Sequence, residues 1–285
     1  MTEEKLSGIV EAMPEEQYHA HPALSSTGAR LLLKSPAKFD YRRSHPRAGN
    51  RAFDLGHAAH TKVLGIGAGV IAYPDEHLTA SGNVSTKAAT LAWADEVRAA
   101  GLTPVSPAEI EAVDAMAESV LAHPQARVLF EAPGERELSV FADIDGVPVR
   151  ARLDAFVSGD MPVGVDLKTT RKTADADGFG REAADLGYHV QEAWYREALA
   201  AVGVNLSKFL FVVVEKEPPY LVGVNELDII FQEMGKAAAA EARRRYRSGM
   251  ETGVWPGYSD DIELASPPAW AAMLSEDLYG SEMQV

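Results

Sequence analysis

Two acidic residues and a lysine, Asp154, Asp166 and Lys168, lie in neighbouring segments whose side chains alternate as they do in β-strands. Alternation puts Asp166 and Lys168 on the same face of a strand, roughly 6–7 Å apart along it. If the segments carrying Asp154 and Asp166 form a hairpin about Asp160, two carboxylates and an ammonium group converge on one point. Burying these charges in apolar strands costs free energy and needs a compensating partner.

A hard divalent cation would compensate such a cluster. Mg²⁺, with Mn²⁺ as a substitute, prefers carboxylate oxygens and water as ligands. The cation would polarise a phosphate oxygen and lower the pKa of a bound water, while Lys168 orients that water for in-line attack. An Asp-x-Lys pair on an exposed hairpin face is also a common surface feature, so this motif alone does not decide between catalysis and a simple ion pair.

The segments that must position these residues predict an α/β architecture. Alternating or continuous apolar patterns predict strands, and capping residues with helical periodicity predict helices. The predicted strands are 135–142, 147–157, 163–169, 207–215 and 220–224. The predicted helices are 29–33, 53–64, 85–100, 107–122, 183–202 and 226–248. This order indicates an α/β sandwich around one mixed sheet.

Composition restricts the class of protein and of metal site. Apolar residues make up 46% of the chain, which is ordinary for a globular protein. The absence of cysteine excludes disulfides, thiolate zinc sites and thiolate-held iron–sulfur clusters, so a metal must be held by oxygen and imidazole ligands. The apolar run 209–214 is too short to span a membrane, and the N-terminus lacks a signal-peptide layout. These features predict a cytoplasmic protein.

The charge distribution is uneven. The 27 basic and 42 acidic side chains give a net charge of −15, which argues against coating nucleic acid through bulk electrostatics. An enzyme could still contact DNA through a local basic surface, because screening limits each charge to about 10 Å. Two clusters could form such a surface or be solvated helix faces. They consist of Arg30, Lys34, Lys38, Arg42, Arg43, Arg47 and Arg51, and of Arg243, Arg244, Arg245 and Arg247.

Motifs in a fixed order give the chain a resemblance to the PD-(D/E)xK nuclease superfamily and, within it, to the RecB-like branch. The motifs are Gly56-x-x-x-His60, Asp154, Asp166-Leu167-Lys168 and Gln191-x-x-x-Tyr195. The proline that precedes the first acid in the superfamily is replaced by Leu153. The chain is also similar to RecE-type phage and prophage exonucleases over residues 15–272. This similarity lies in the segments 18–26, 32–39, 255–258 and 267–270.

The resemblance implies a role for each motif residue. His60, Asp154, Asp166 and the Leu167 carbonyl would hold the metal, and His57 is a weaker rival of His60. Asp154, Asp166 and Lys168 would be catalytic, with Glu137 supporting them or binding a second metal. The expected DNA contacts are Gln191, Tyr195, Arg150 and Arg152, although surface arginines and helix-surface polar pairs are common without any such role.

The resemblance also implies a fold and a function. The expected fold is the restriction-endonuclease-like mixed central sheet flanked by helices, in one domain over 1–285. Residues 1–130 would form a mainly helical N-terminal part carrying His60, 131–225 the catalytic sheet core, and 226–285 a C-terminal helix and irregular tail. The expected enzyme degrades linear double-stranded DNA from 5′ ends and leaves 3′ single strands.

The same resemblance implies partners. The 3′ strands would pass to a RecT-like single-strand annealing protein, and the enzyme would form a homo-oligomeric ring around DNA. Two alternatives remain open, a RecB-like nuclease of other polarity or structure specificity, and a catalytically inactive DNA-binding recombination scaffold. The three intact residues Asp154, Asp166 and Lys168 favour an enzyme, because a scaffold needs none of them.

Overall fold

The computed structural model describes residues 6–45, 51–67, 69–268 and 271–273, with no side chains described for 51–53. Arg47 of the first basic cluster, positions 269–270 of the C-terminal motif and both ends of the expected domain lie outside these residues. In the part of the chain that is described, no helix has both the length and the apolar character needed to cross a membrane.

The described chain contains both helices and strands. The α-helices are α1 (Glu15–Ala20), α2 (Ser26–Lys34), α3 (Pro36–Ser44), α4 (Arg51–Leu64), α5 (Ala88–Ala99), α6 (Pro107–Ala122), α7 (Pro124–Glu131), α8 (Ala176–Leu186), α9 (Tyr188–Ala201) and α10 (Ile229–Thr252). The strands are β1 (Gly8–Val10), β2 (Leu24–Ser25), β3 (Gly69–Ala72), β4 (Leu102–Val105), β5 (Gly134–Ile144), β6 (Val147–Val157), β7 (Val163–Thr170), β8 (Lys208–Glu215) and β9 (Val222–Asn225). A short 3₁₀ helix spans Asp75–His77.

One mixed sheet forms the centre of the fold. Its strand order is β1-β5-β6-β7-β8-β9, and β2 pairs with β6 as a seventh strand. The β7–β8 and β2–β6 pairs are parallel, and the other pairs in this sheet are antiparallel. The strands β3 and β4 form a separate two-stranded parallel sheet. The restriction-endonuclease-like mixed sheet expected from the sequence is therefore confirmed.

Helices cover both faces of the central sheet, because its strands carry apolar side chains on both sides. One core packs α2, α8, α9 and α10 against the sheet and includes Leu32, Trp194 and Phe211. The other packs α4, α6 and α7 against the opposite face and includes Met116 and Leu167. Burying each such side chain contributes about 1.5–3 kcal/mol, so the two cores fix the sheet and the helices relative to one another.

One helix prediction was wrong at its start. The sequence pattern predicts a single helix over 183–202, whereas α8 ends at Leu186 and α9 begins at Tyr188. Gly187 lies between them with a φ of 72°, a left-handed conformation that ends α8 and redirects the chain. This turn places the first residues of α9, rather than the middle of a longer helix, beside β7.

Candidate active site

The centre of the site is a gap between β6 and β7. The β6–β7 ladder stops at the pair Ala155–Val165, and β2 pairs with the same edge of β6 only at Val149 and Arg150. Within the described chain, residues 151–154 thus have no ladder partner on that edge. The Asp154 carboxylate occupies this gap and accepts the backbone N–H of Leu167 at 2.6 Å. The side chain of Asp154 therefore replaces a missing ladder bond.

The path of β6 also changes at Asp154. Leu153 packs into the core beneath α9, whereas Ala155 packs into the core beneath α4 and α6. Regular alternation would put both residues on the same face. The switch holds the Asp154 carboxylate at the edge of the separating strands, where burial and the nearby Asp166 carboxylate raise its pKa.

Glu137 on β5 is a second carboxylate at this point. Its backbone has a φ of 53°, in the left-handed region that a residue with a Cβ rarely adopts. Burial and the Asp154 carboxylate raise the pKa of Glu137 to about 7. Such strain persists only where the surrounding structure holds it, and it is concentrated at functional sites. Glu137 is thus held close to a like charge at a cost in stability.

An imidazole from helix α4 completes the cluster. His60 on α4 places Nδ1 3.5 Å from Asp154 Oδ2. Ligand atoms of His60, Glu137 and Asp154 all lie within 4.8 Å of one another. His57, one turn earlier on α4, instead contacts Glu15 at 3.1 Å. The structure therefore distinguishes the two histidines and brings His60 to the acids.

Asp166 and Lys168 form the adjoining part of the site. The Asp166 side chain is only 2% exposed, and Lys168 Nζ contacts its Oδ2. Gln191 Nε2 on α9 donates to Asp166 Oδ1 at 2.6 Å. The Lys168 ammonium also lies over the Tyr188 ring, 4.9 Å from its centre. The carboxylate, the ammonium and the amide therefore hold one another in fixed positions beside Asp154.

The donor set suits a hard divalent cation. It comprises one imidazole nitrogen and two carboxylate oxygens, with a third carboxylate, Asp166, next to them. Both Glu137 and Asp154 have raised pKa values, first because they are buried and second because each lies near another carboxylate, which leaves an excess of negative charge in the cluster. A divalent cation removes this excess, and Mg²⁺ and Mn²⁺ both accept such ligands. The residues present thus fit the metal that the sequence analysis expected.

The sequence profile of the family described as PDDEXK-like domain of unknown function (DUF3799) matches residues 33–267. The chain belongs to this PDDEXK-like family. The match covers all of the residues in the gap between β6 and β7 as well as His60. Nucleases of the PDDEXK type use divalent metals, in agreement with the donor set. No curated protein matches the chain at a significant level.

A solved structure supports the PDDEXK-like assignment at the level of the fold. A candidate exonuclease from Eubacterium rectale superposes with a TM-score of 0.59 at 11% identity, over 93% of this chain and 98% of that one. A second structure, of a protein named SSO0001, gives a TM-score of 0.35 at 14% identity over 83% and 87% of the two chains, which is too low to carry an argument. The family and the fold together support a nuclease.

Two predicted DNA contacts on α9 lie beneath the PDDEXK-like site. Gln191 is 3% exposed, and its Oε1 has no hydrogen-bond partner among the described residues. A carboxylate only accepts hydrogen bonds, so the Gln191 amide nitrogen must be the atom that donates to Asp166. The amide oxygen is then the atom that has no partner in the described chain. Tyr195 is buried and its hydroxyl is hydrogen bonded to Ser26. DNA contact by either residue stays a prediction, and the structure adds for Gln191 a role in positioning Asp166.

The two predicted phosphate contacts on β6 are engaged within the protein. The Arg150 guanidinium donates to the carbonyls of Tyr18, His19 and His21. Arg152 is buried and donates to Met13 O at 2.6 Å. Together they fasten the N-terminal segment across the sheet. Contact of Arg150 and Arg152 with DNA phosphate stays a prediction. It would require the two guanidinium groups to give up these hydrogen bonds to the backbone.

The residues that could hold a metal ion in the structure overlap only in part with the set implied by the sequence resemblance, and metal binding by that set stays a prediction. Glu137, expected to support the catalytic residues or to bind a second metal, lies within 4.8 Å of His60 and Asp154 in one cluster. Asp166, expected as a direct ligand, lies beside the cluster in contact with Lys168 and Gln191. For Leu167 the structure shows the amide group in contact with Asp154. Metal binding by the Leu167 carbonyl stays a prediction.

The sequence analysis missed a group of side chains next to the site. Glu15 on α1 contacts His57 at 3.1 Å and His19 at 3.5 Å, and both histidines lower its pKa. The i,i+4 spacing of Glu15 and His19 is a local signal that could have indicated their pairing. The contact with His57 joins positions 42 residues apart, and no local pattern encodes it.

The raised pKa of Glu137 predicts how the stability of the metal-free protein depends on pH. The folded state holds this proton up to about pH 7, whereas the ordinary pKa of a glutamate side chain is 4.5. Stability that is present below pH 4.5 is therefore lost as the pH rises through 7. Discounted for partial exposure, the loss is about 2 kcal/mol. We expect Glu137→Gln to be more stable than the wild type at about pH 8 and to lose that advantage near pH 5.

Melting curves of both proteins in the presence of a chelator measure this difference. Added Mn²⁺ should stabilise the wild type at the higher pH, because a ligand that binds only the folded state shifts unfolding. A difference in melting temperature between the wild type and Glu137→Gln that does not change with pH would show that the raised pKa does not belong to Glu137.

Proposed function

We propose that this protein is a Mg²⁺-dependent deoxyribonuclease that digests linear double-stranded DNA from its 5′ ends and leaves 3′ single strands. The observation that supports hydrolysis most strongly is the gap between β6 and β7, with His60, Glu137 and Asp154 on one side and Asp166 and Lys168 on the other. A bound divalent cation supplies charge stabilisation at the phosphate and lowers the pKa of the attacking water.

The residues of the chain supply the remaining requirements. Asp154 is held by the Leu167 amide, so its carboxylate keeps one orientation toward the cluster. The Lys168 ammonium lies beside Asp166, where an attacking water or the phosphate oxygens can accept hydrogen bonds from it. Gln191 fixes Asp166 from below. Preorganisation of this kind lowers the barrier because the groups need not reorganise during the reaction.

The biological setting is part of the same proposal. Resemblance to RecE-type exonucleases suggests that a homo-oligomeric ring threads DNA ends in the cytoplasm. The 3′ strand would then pass to a RecT-like annealing protein during phage-type recombination. A ring whose basic side chains face inward would let a chain of net charge −15 act on DNA.

End-labelled DNA tests the activity and its polarity. With Mg²⁺ present, we expect a linear duplex labelled at its 5′ ends to release the label early, while a 3′ label stays in long products. Closed circular duplex should survive, because it offers no end. Early release of the 3′ label would indicate a RecB-like nuclease of the other polarity, and rapid nicking of circles would contradict an exonuclease.

A further inference from the structure

Basic side chains in the described part of the chain differ in whether a carboxylate pairs with them. Some members of both basic clusters found in the sequence are paired: Arg43 contacts Asp40 at 2.7 Å, and Arg244 and Arg245 both contact Glu241. Paired side chains of this kind present little net charge to an anion. A phosphate backbone would instead favour cations that the fold leaves uncompensated.

Arg171 and Lys216 are such cations. They follow β7 and β8, whose last paired residues are Thr170 and Glu215, and the Lys216 N–H donates to Thr170 O at 2.7 Å. Because these strands are parallel and in register, Arg171 and Lys216 lie next to each other where the two strands end. Neither forms an ion pair with any residue that the structure describes, whereas Lys172 beside them contacts Asp185 at 3.5 Å.

The two charges disfavour each other. Lys216 is half-buried, and its burial together with the Arg171 guanidinium lowers its pKa, an effect that the Glu182 carboxylate opposes only in part. Like charges at close range destabilise the charged forms unless an anion lies between them. A phosphodiester group supplies that anion, and the planar guanidinium of Arg171 can donate two hydrogen bonds to it.

The position of the pair relates it to the catalytic residues. Arg171 follows Lys168 by three residues and lies one position past the end of β7, which corresponds to roughly 10 Å of extended chain. Each strand of B-form DNA carries one phosphate per about 3.4 Å of helix axis. We propose that Arg171 and Lys216 form a phosphate-binding subsite that holds a DNA strand about three nucleotides from the reacting phosphate. The inference rests on the proposed nuclease function.

The test is the double variant Arg171→Gln/Lys216→Gln, which keeps polar side chains at both positions and removes both charges. We expect KM for linear duplex DNA to rise about tenfold with kcat unchanged. Binding of fluorescently labelled duplex should weaken, and the slope of log K against log salt should fall by about one. The charge-retaining variant Arg171→Lys/Lys216→Arg should recover most of the affinity, which a loss of folding would not allow.

A matched control is Arg127→Gln, since Arg127 on α7 is an exposed arginine paired with Glu131 at 2.9 Å. Its KM and salt slope should equal those of the wild type. If the double variant behaves like this control while the wild type binds and cleaves DNA, the subsite is overturned and the nuclease function stands. If the wild type neither binds nor cleaves linear duplex DNA, both proposals fall.

Discussion

Replacing Asp154 by asparagine is expected to lower the rate of Mg²⁺-dependent DNA cleavage by a factor on the order of a thousand or more. The reason is that a metal ion held by the protein stabilises the transition state by several kcal/mol. The carboxylate that faces His60 and Glu137 is lost, yet the asparagine Oδ1 can still accept the Leu167 N–H. The variant also removes a buried charge whose pKa is raised. We therefore expect it to be as stable as the wild type or more stable in the absence of metal.

Cleavage rates and melting temperatures measured together test this combination. Asp160→Asn is the matched control, because Asp160 is an exposed acid in the turn between β6 and β7. The control should retain full activity. An Asp154→Asn protein that melts normally and cleaves DNA at the wild-type rate would show that Asp154 is not part of the catalytic site.

Replacing Lys168 by methionine is expected to slow cleavage by about 10²- to 10⁴-fold. Methionine keeps much of the side-chain volume but cannot donate a hydrogen bond or carry charge. The substitution also leaves Asp166, which is 2% exposed, with Gln191 as its remaining side-chain partner in the described part of the chain. Breaking such a pair costs roughly 3–5 kcal/mol when both groups are fully buried, and the 20% exposure of Lys168 places the cost below that range.

A second substitution separates the catalytic loss from the structural one. Asp166→Asn/Lys168→Met removes both charges and should recover most of the stability without recovering activity. The control Lys208→Met changes a lysine on the adjacent strand β8 that is paired with Glu226 and half-exposed. It should cost less than about 1 kcal/mol and leave cleavage unchanged. Activity that returned together with stability in the double variant would mean that Lys168 acts only on the fold.

Local patterns were sufficient to predict the strands that carry the site. The period-two alternation and the Asp145-Gly146 turn predicted 147–157, and β6 is Val147–Val157. The hairpin about Asp160 followed from the turn residues, and it brings Asp154 beside Asp166 as expected. Such features depend on neighbours in the sequence, which is why they could be predicted from it.

The features that decide the chemistry in detail depend on tertiary structure. The edge of β6 beyond its pairing with β7 is partly taken up by β2, which lies more than a hundred positions earlier in the chain and pairs with Val149 and Arg150. The left-handed backbone of Glu137 and the burial of Arg152 by the N-terminal segment also need distant residues. The sequence pattern also carries no information on the hydrogen bonds that hold Arg150 to Tyr18 and Arg152 to Met13, whereas the contact of these arginines with DNA stays a prediction.

The measurement that tests the site most directly is the anomalous scattering of Mn²⁺ in crystals soaked with that ion. We expect one peak bounded by a His60 ring nitrogen and by carboxylate oxygens of Glu137 and Asp154, and no such peak in crystals of Asp154→Asn. A peak elsewhere, or no peak in a well-occupied soak of the wild type, would contradict the assignment of these side chains as a cation site.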